Sequence, residues 1–230
     1  GLEATPETAF QLASVSKAWD AAALMAAREA GALTLSDDIH QHLPFRVENP
    51  LLGADQPPMR INHLASHTAG LQDNSDAIVY APGDPQVPLE VFLEDYLTPS
   101  GAHYSAGDNF HPWEPGRVYS YSNVGAALTA LVVQEATEAP FEDWCQQSLF
   151  DPLGLDRTRW FLADYPDDQV IATPYLVGSD GWEPQELYGF PTWPDGQLRS
   201  TAEEVARFLG MVMAGGTWEG EAVLSEASVA

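Results

Sequence analysis

The chain has 230 residues, 45% of them hydrophobic and 10% aromatic, which gives material for a substantial core and argues against a disordered segment. Its 9 Lys and Arg against 34 Asp and Glu give 9 − 34 = −25, a field that argues against nucleic acid or an anionic membrane as partner. A single cysteine, Cys145, excludes an internal disulfide framework and any zinc site built from several cysteines; it reads as a core or surface thiol.

In chain order, residues 4–13 place Phe10 and Leu12 in alternation and predict a short strand. It leads into Ser14-Val15-Ser16-Lys17 and an alanine-rich helix over 18–30, with Gly31 as its stop. Ser14 and Lys17 are three apart, so on a helix they share a face and a hydroxyl stands beside an amine. A serine hydroxyl alone is a poor nucleophile; a base that removes its proton activates it. Lysine becomes such a base where burial or other cations favour the neutral amine. Lys17 is also the only lysine in the chain. A strand-to-helix junction adds helix N-terminal amides, which favour developing negative charge.

Residues 33–58 read as loop, punctuated by Ser36-Asp37-Asp38, Pro44, Pro50 and Pro57-Pro58, with His40 and His42 expected to be exposed. A short helix is predicted over 61–66, ended at Gly70. His63 and His67 on it have the spacing of a metal pair, but the glutamate of His-Glu-x-x-His is missing and a structural role is favoured. Residues 72–118 look irregular, with one amphipathic piece near Leu89–Leu97; a stretch this long and structureless is unusual unless it lines a site. The turn Glu114-Pro115-Gly116 precedes Tyr121-Ser122-Asn123, and 124–138 reads as a helix broken by Ala139-Pro140. Another short helix spans 141–149, followed by a turn at Asp151-Pro152-Leu153-Gly154-Leu155. Residues 160–198 are mixed, and Trp160, Trp182 and Trp193 are read as core before substrate wall. Thr201 with Glu204 predicts a capping box opening a helix through Met213, ended by Gly215-Gly216. There is no internal repeat, no Gly-x-Ser-x-Gly elbow and no Gly-rich phosphate loop after a strand.

Tyr121-Ser122-Asn123 is the second candidate site. A tyrosine near a lysine ammonium loses its proton more readily, and an asparagine amide can bond both a lysine and a substrate carbonyl. Local sequence alone reads equally well as a turn before a helix. The whole set, however, resembles the serine β-lactamase and penicillin-binding-protein superfamily on its class C side. Ser14-Val15-Ser16-Lys17 matches that family's Ser-x-x-Lys, and Tyr121-Ser122-Asn123 its Tyr-x-Asn. His63-Leu64-Ala65-Ser66-His67-Thr68-Ala69-Gly70-Leu71 is similar to its recurrent LLSHTSGL segment. Glu114-Pro115-Gly116, Pro152-Leu153-Gly154-Leu155 and Leu198-Arg199-Ser200-Thr201-Ala202-Glu203 resemble further signatures, in the right order.

The resemblance implies an α+β fold, with a helical subdomain and part of an antiparallel sheet, incomplete at both ends. The chain is expected to be one unit over 1–230, with 32–198 mostly helical or irregular and 1–31 and 199–230 packing with the sheet. It implies a serine hydrolase working through an acyl-enzyme. In it Ser14 attacks, Lys17 takes or stabilises the proton, Tyr121 relays it and Asn123 positions Lys17 and the substrate. The substrate would be a small molecule or peptide with an ester, amide or lactam carbonyl, and no cofactor or metal is implied. The third family motif, Lys-Thr-Gly or His-x-Gly, does not occur between 200 and 230, and the expected alternative is a non-catalytic or inactive penicillin-binding-like module. In the family that strand supplies one oxyanion donor, and losing one such donor costs ~2.7–4 kcal/mol in comparable hydrolases. No run approaches the ~18 apolar residues of a membrane span and no signal peptide is read, so an exported location, periplasmic or extracellular, stays open. Dispersed carboxylates with so few lysines suggest adaptation to high salt.

Overall fold

The computed structural model describes residues 3–166, 169–179 and 181–230. Strand β1 is only Phe10–Gln11. Ala13 then adopts a left-handed φ of 47°, and this bend turns the chain into a 3-10 turn, Ala13–Ser16, and on into helix α1, Lys17–Glu29. A left-handed alanine costs roughly 1–2 kcal/mol, so the packing around it must hold it there. The helix closes at Ala30 and Gly31 (φ 76°), the stop read from the sequence.

Residues 32–60 are turns with one 3-10 turn, Ile39–Gln41. His40 and His42 are not exposed as expected. The His40 ring accepts the Val47 amide at 3.0 Å and lies 3.0 Å from Asp38, while His42 lies 3.2 Å from Asp37. A loop with few ladder partners must satisfy some amides with side chains, and the His40 ring does so for Val47, while His42 is held by the Asp37 carboxylate. Helix α2, Ile61–Ala65, begins where the Arg60 amide donates to the His63 ring, and its following turn ends at Gly70. At Gly70 (φ 77°) a Cβ would lie 3.1 Å from the Trp113 carbonyl oxygen, so the position needs glycine twice over.

Strand β2 (Ala81–Pro82), helix α3 (Leu89–Leu97) and helix α4 (Ala106–Asn109) give 72–118 more order than its composition suggested. Leu89, Phe92, Leu93, Tyr96 and Leu97 form the buried face of α3. Helix α5, Asn123–Thr137, is the hub: residues 124–133 are all buried, and it packs against α1, α2, α3 and helix α6, Phe141–Cys145. α6 runs through a π-turn, Gln146–Phe150, into α7, Asp151–Leu153. Asp151-Pro152-Leu153 is therefore helical, not the turn expected; a proline in the first turn of a helix lacks only an amide that would be unpaired anyway. The bend comes at Gly154 (φ 63°). Cys145 is buried in this row, and burial pushes its thiol pKa up.

Strands β3 (Tyr175–Gly178) and β4 (Gly181–Pro184) make an exposed hairpin. β5 (Tyr188–Gly189) pairs with β2, and β6 (Arg199–Ser200) pairs with β1, Phe10 opposite Ser200. Helix α8, Ala202–Met213, is followed by the pair β7 (Thr217–Trp218) and β8 (Glu221–Ala222), then α9, Glu226–Val229. Among the described residues every named strand pair is antiparallel. Thr201 caps α8 by accepting the Glu204 amide, but Glu204 does not close the capping box. Its carboxylate turns instead to the Arg157 amide (2.9 Å) and the Thr158 hydroxyl (2.6 Å), since two charge-assisted bonds outweigh one cap bond. Trp19 of α1 stacks on Phe208 of α8 at 4.1 Å, and Trp160, Trp193, Phe141 and Phe161 interlock. Trp160 and Trp193 are thus core, whereas Trp182 on β4 stands out in solvent. Among the described residues no helix is long and apolar enough to cross a membrane.

Candidate active site

Ser14 follows the left-handed Ala13 and is exposed, while Lys17, at the head of α1, faces inward. The Lys17 Nζ lies 3.4 Å from Ser14 Oγ. The Tyr121 hydroxyl donates to the same Oγ at 2.8 Å, and the Tyr121 ring lies under Nζ at 5.0 Å, a cation–π distance. Asn123, in the first turn of α5, accepts from Nζ through Oδ1 at 2.7 Å. All four residues singled out in the sequence therefore meet at one point, although about half the chain separates the two motifs.

The second motif is held by a residue the sequence reading missed. Asp73 accepts from the Ser122 hydroxyl (2.9 Å) and from the Asn123 and Val124 amides (2.8 and 3.0 Å). A carboxylate at the start of α5 satisfies amides that no helical carbonyl can reach and complements the helix dipole. Ser122 caps the same turn by accepting the Gly125 amide. His67 supports it from the other side: its Nδ1 accepts the Ser122 amide at 3.3 Å, and its ring lies 4.6 Å from that of Tyr121. Burial, then the Lys17 charge, lowers the His67 pKa, which favours the neutral ring that this bond requires. His63 and His67 thus each spend Nδ1 on a backbone amide.

Lys17 has another neighbour, Asp195, on the 3-10 turn Trp193–Asp195. Nζ donates to the Asp195 carbonyl oxygen at 2.6 Å and lies 3.8 Å from its carboxylate Oδ1. The carboxyl is buried, and burial lifts its pKa to about 6; the Lys17 charge and the adjacent Thr192 hydroxyl pull the other way, and Asp73 adds to the rise. Asp20, one turn beyond Lys17, is fully buried with Oδ1 unpartnered among the described residues, and burial holds its pKa well above the carboxylate range. A cavity of about 40 Å³, lined by Lys17, Asp20, Leu24, His67 and Thr129 among others, sits behind the lysine. Tyr80, Tyr119 and Tyr121 are all exposed, and Tyr80 leans on Tyr188 and Phe190. Pro194-Asp195-Gly196 carries a turn signature, but no local signal says that it folds onto a lysine 178 residues upstream.

The fold places the chain among the β-lactamase and transpeptidase structures. It superposes on the octameric penicillin-binding protein homologue from Pyrococcus abyssi with a TM-score of 0.74 at 22% identity, covering 99% of this chain and 49% of that one. It matches EstCE1, a hydrolase with promiscuous acyltransferase activity, with a TM-score of 0.74 at 23% identity, covering 98% and 63%. The sequence matches the Beta-lactamase family over residues 1–230, and the chain belongs to that family. It is 26% identical over 219 residues to a beta-lactamase of Yersinia enterocolitica, covering 91% of this chain and 47% of the relative. The chain thus spans about half the length of that curated relative.

Proposed function

We propose that this chain carries the acylating residues of a serine hydrolase acting on an ester, amide or lactam carbonyl. The observation that carries the reading is the double approach to Ser14 Oγ, by the Tyr121 hydroxyl at 2.8 Å and by Lys17 Nζ at 3.4 Å. Ser14 Oγ attacks the carbonyl carbon while its proton passes to the Tyr121–Lys17 pair. Tyr121 then returns a proton to the leaving group as the tetrahedral centre collapses, and water hydrolyses the acyl-serine with the same groups reversed. Asn123 holds Lys17 in place and leaves its amide nitrogen for substrate.

Ester hydrolysis is the broadest activity this arrangement supports. An overall charge of −25 gives no help to an anionic β-lactam, and the exposed tyrosines Tyr80, Tyr119 and Tyr121 offer apolar faces to a neutral acyl group. The test is turnover of a chromogenic short-chain ester by the full-length protein. Ser14→Ala abolishes it, and Tyr121→Phe lowers kcat by about 10²–10⁴-fold, the usual worth of a positioned acid–base group. No turnover by the wild type removes the esterase reading.

A further inference from the structure

Asp195 approaches Lys17 in two ways, and only one of them is available to every residue type. The carbonyl contact at 2.6 Å is main chain; the Oδ1 contact at 3.8 Å belongs to the carboxylate. Asp195 is 5% exposed, and its turn is anchored by Trp193, which is wedged between Trp160, Phe141 and Phe161. The next residue, Gly196, packs against Phe190 and Ala13, where a Cβ would lie 3.3 Å from the Phe190 ring and 3.4 Å from the Ala13 carbonyl carbon. The carboxyl is thus held out of water beside Lys17 in this structure, and its turn abuts the bend that presents Ser14.

We propose that Asp195 is a positioning residue whose ionised carboxylate fixes Lys17 against Asn123 and Ser14, so that Ser14 reactivity depends on a carboxyl group that reaches it only through Lys17. This rests on the serine-hydrolase reading given above. The groups that face the pair come from every side. α1 contributes Asp20 as well as Lys17, the segment before β2 contributes Asp73 and Tyr80, and α5 and its approach contribute Asn123, Tyr121 and His67. Thr192 stands beside the carboxyl on its own turn. With its carboxyl protonated, Asp195 keeps only the carbonyl bond, and one of its two contacts with Nζ loses its charge. Burial sets the midpoint of that change at about pH 6.

Because Lys17 is the only lysine, biosynthetic labelling with ¹³Cε-lysine gives this chain a single lysine side-chain resonance, readable without any activity. In the wild type that resonance moves in a step centred near pH 6 as Asp195 ionises. Asp195→Asn abolishes the step. In parallel, the rate at which a fluorophosphonate labels Ser14 rises through the same pH range in the wild type. In Asp195→Asn that limb is absent and labelling at pH 7.5 is about 10–100-fold slower, the cost of a small misplacement of a reacting group. A step that survives in Asp195→Asn, or follows Asp20→Asn instead, overturns the proposal. So does a lost step with an unchanged labelling profile, because the pair would then exist without governing Ser14. If the wild type shows the step and is never labelled, the hydrolase reading fails and the control of Ser14 fails with it, while the Asp195–Lys17 pair stands.

Discussion

Removing the Asp73 carboxylate tests how the second motif is built. Asp73→Ala takes one partner from the Ser122 hydroxyl and the carboxylate acceptor from the Asn123 and Val124 amides. Hydrogen bonds to a charged group are worth about 1.5–3 kcal/mol each, and a carboxylate at a helix start adds roughly 0.3–1 kcal/mol. These terms overlap, and Asp73 is only half-buried, so water recovers part of the loss; the expected destabilisation is ~2–3 kcal/mol. For a chain of this size each kcal/mol lowers Tm by about 2–4 °C, which gives a fall of roughly 4–12 °C. Asp73→Asn keeps one acceptor oxygen and loses about half as much. Asn123 and Tyr121 both hang from this turn, so labelling of Ser14 by a fluorophosphonate slows together with the fall in Tm. Thermal unfolding followed by circular dichroism, with labelling rates on the same samples, gives both readouts. An Asp73→Ala variant within about 1 °C of wild type, labelled at the wild-type rate, refutes the role assigned to this residue.

Asp195 makes a pH-dependent prediction of opposite sign. Its folded pKa of about 6 lies above the ordinary 3.8, so the folded chain binds a proton that the unfolded chain has released; stability falls as pH rises between those values. Asp195→Asn, a mimic of the neutral acid, gains up to ~3 kcal/mol above pH 6 and nothing near pH 3.5, and melting curves at the two ends of that range check it. The gain in stability accompanies the loss of reactivity argued above, a trade expected where a site holds a buried charge. Glu204→Gln leaves the Arg157 amide and Thr158 hydroxyl with a weaker acceptor and costs about 1–2 kcal/mol in the same assay; no change shows that the capping role of Thr201 alone secures α8. The charge of −25 predicts a Tm that rises by about 5 °C or more between 0.1 M and 1 M NaCl, as the screening length falls from about 10 to 3 Å; a flat response contradicts an adaptation to high salt.

The regular elements were legible where local physics decides them. α1 stops just before Gly31, α3 has the bounds its amphipathic pattern gives, and α5 differs by one residue at each end. That Ser14, Lys17, Tyr121 and Asn123 would lie together was legible through the resemblance of Ser-x-x-Lys and Tyr-x-Asn to one family's motifs in the right order; the spacing of Ser14 and Lys17 alone paired only those two. Asp73 and Asp195 were not legible, because each acts on a partner far along the chain and sits in a loop whose composition is ordinary. His40 and His42 misled for the opposite reason: loop residues are exposed by default, and only the folded loop shows that the Val47 amide takes the His40 ring and the Asp37 carboxylate the His42 ring. Glu204 had the right spacing for a capping box and was diverted by two donors from residues 157 and 158.

The most direct measurement is the intact mass of the folded protein after incubation with a fluorophosphonate and, separately, with a labelled penicillin, for wild type and Ser14→Ala. The expected result is one adduct on the wild type and none on Ser14→Ala, with the fluorophosphonate reacting whether or not the penicillin does. Labelling by penicillin points to a lactam or peptide substrate, and labelling by fluorophosphonate alone to an ester. A folded wild type that takes up neither probe, or an adduct that persists in Ser14→Ala, contradicts an activated Ser14.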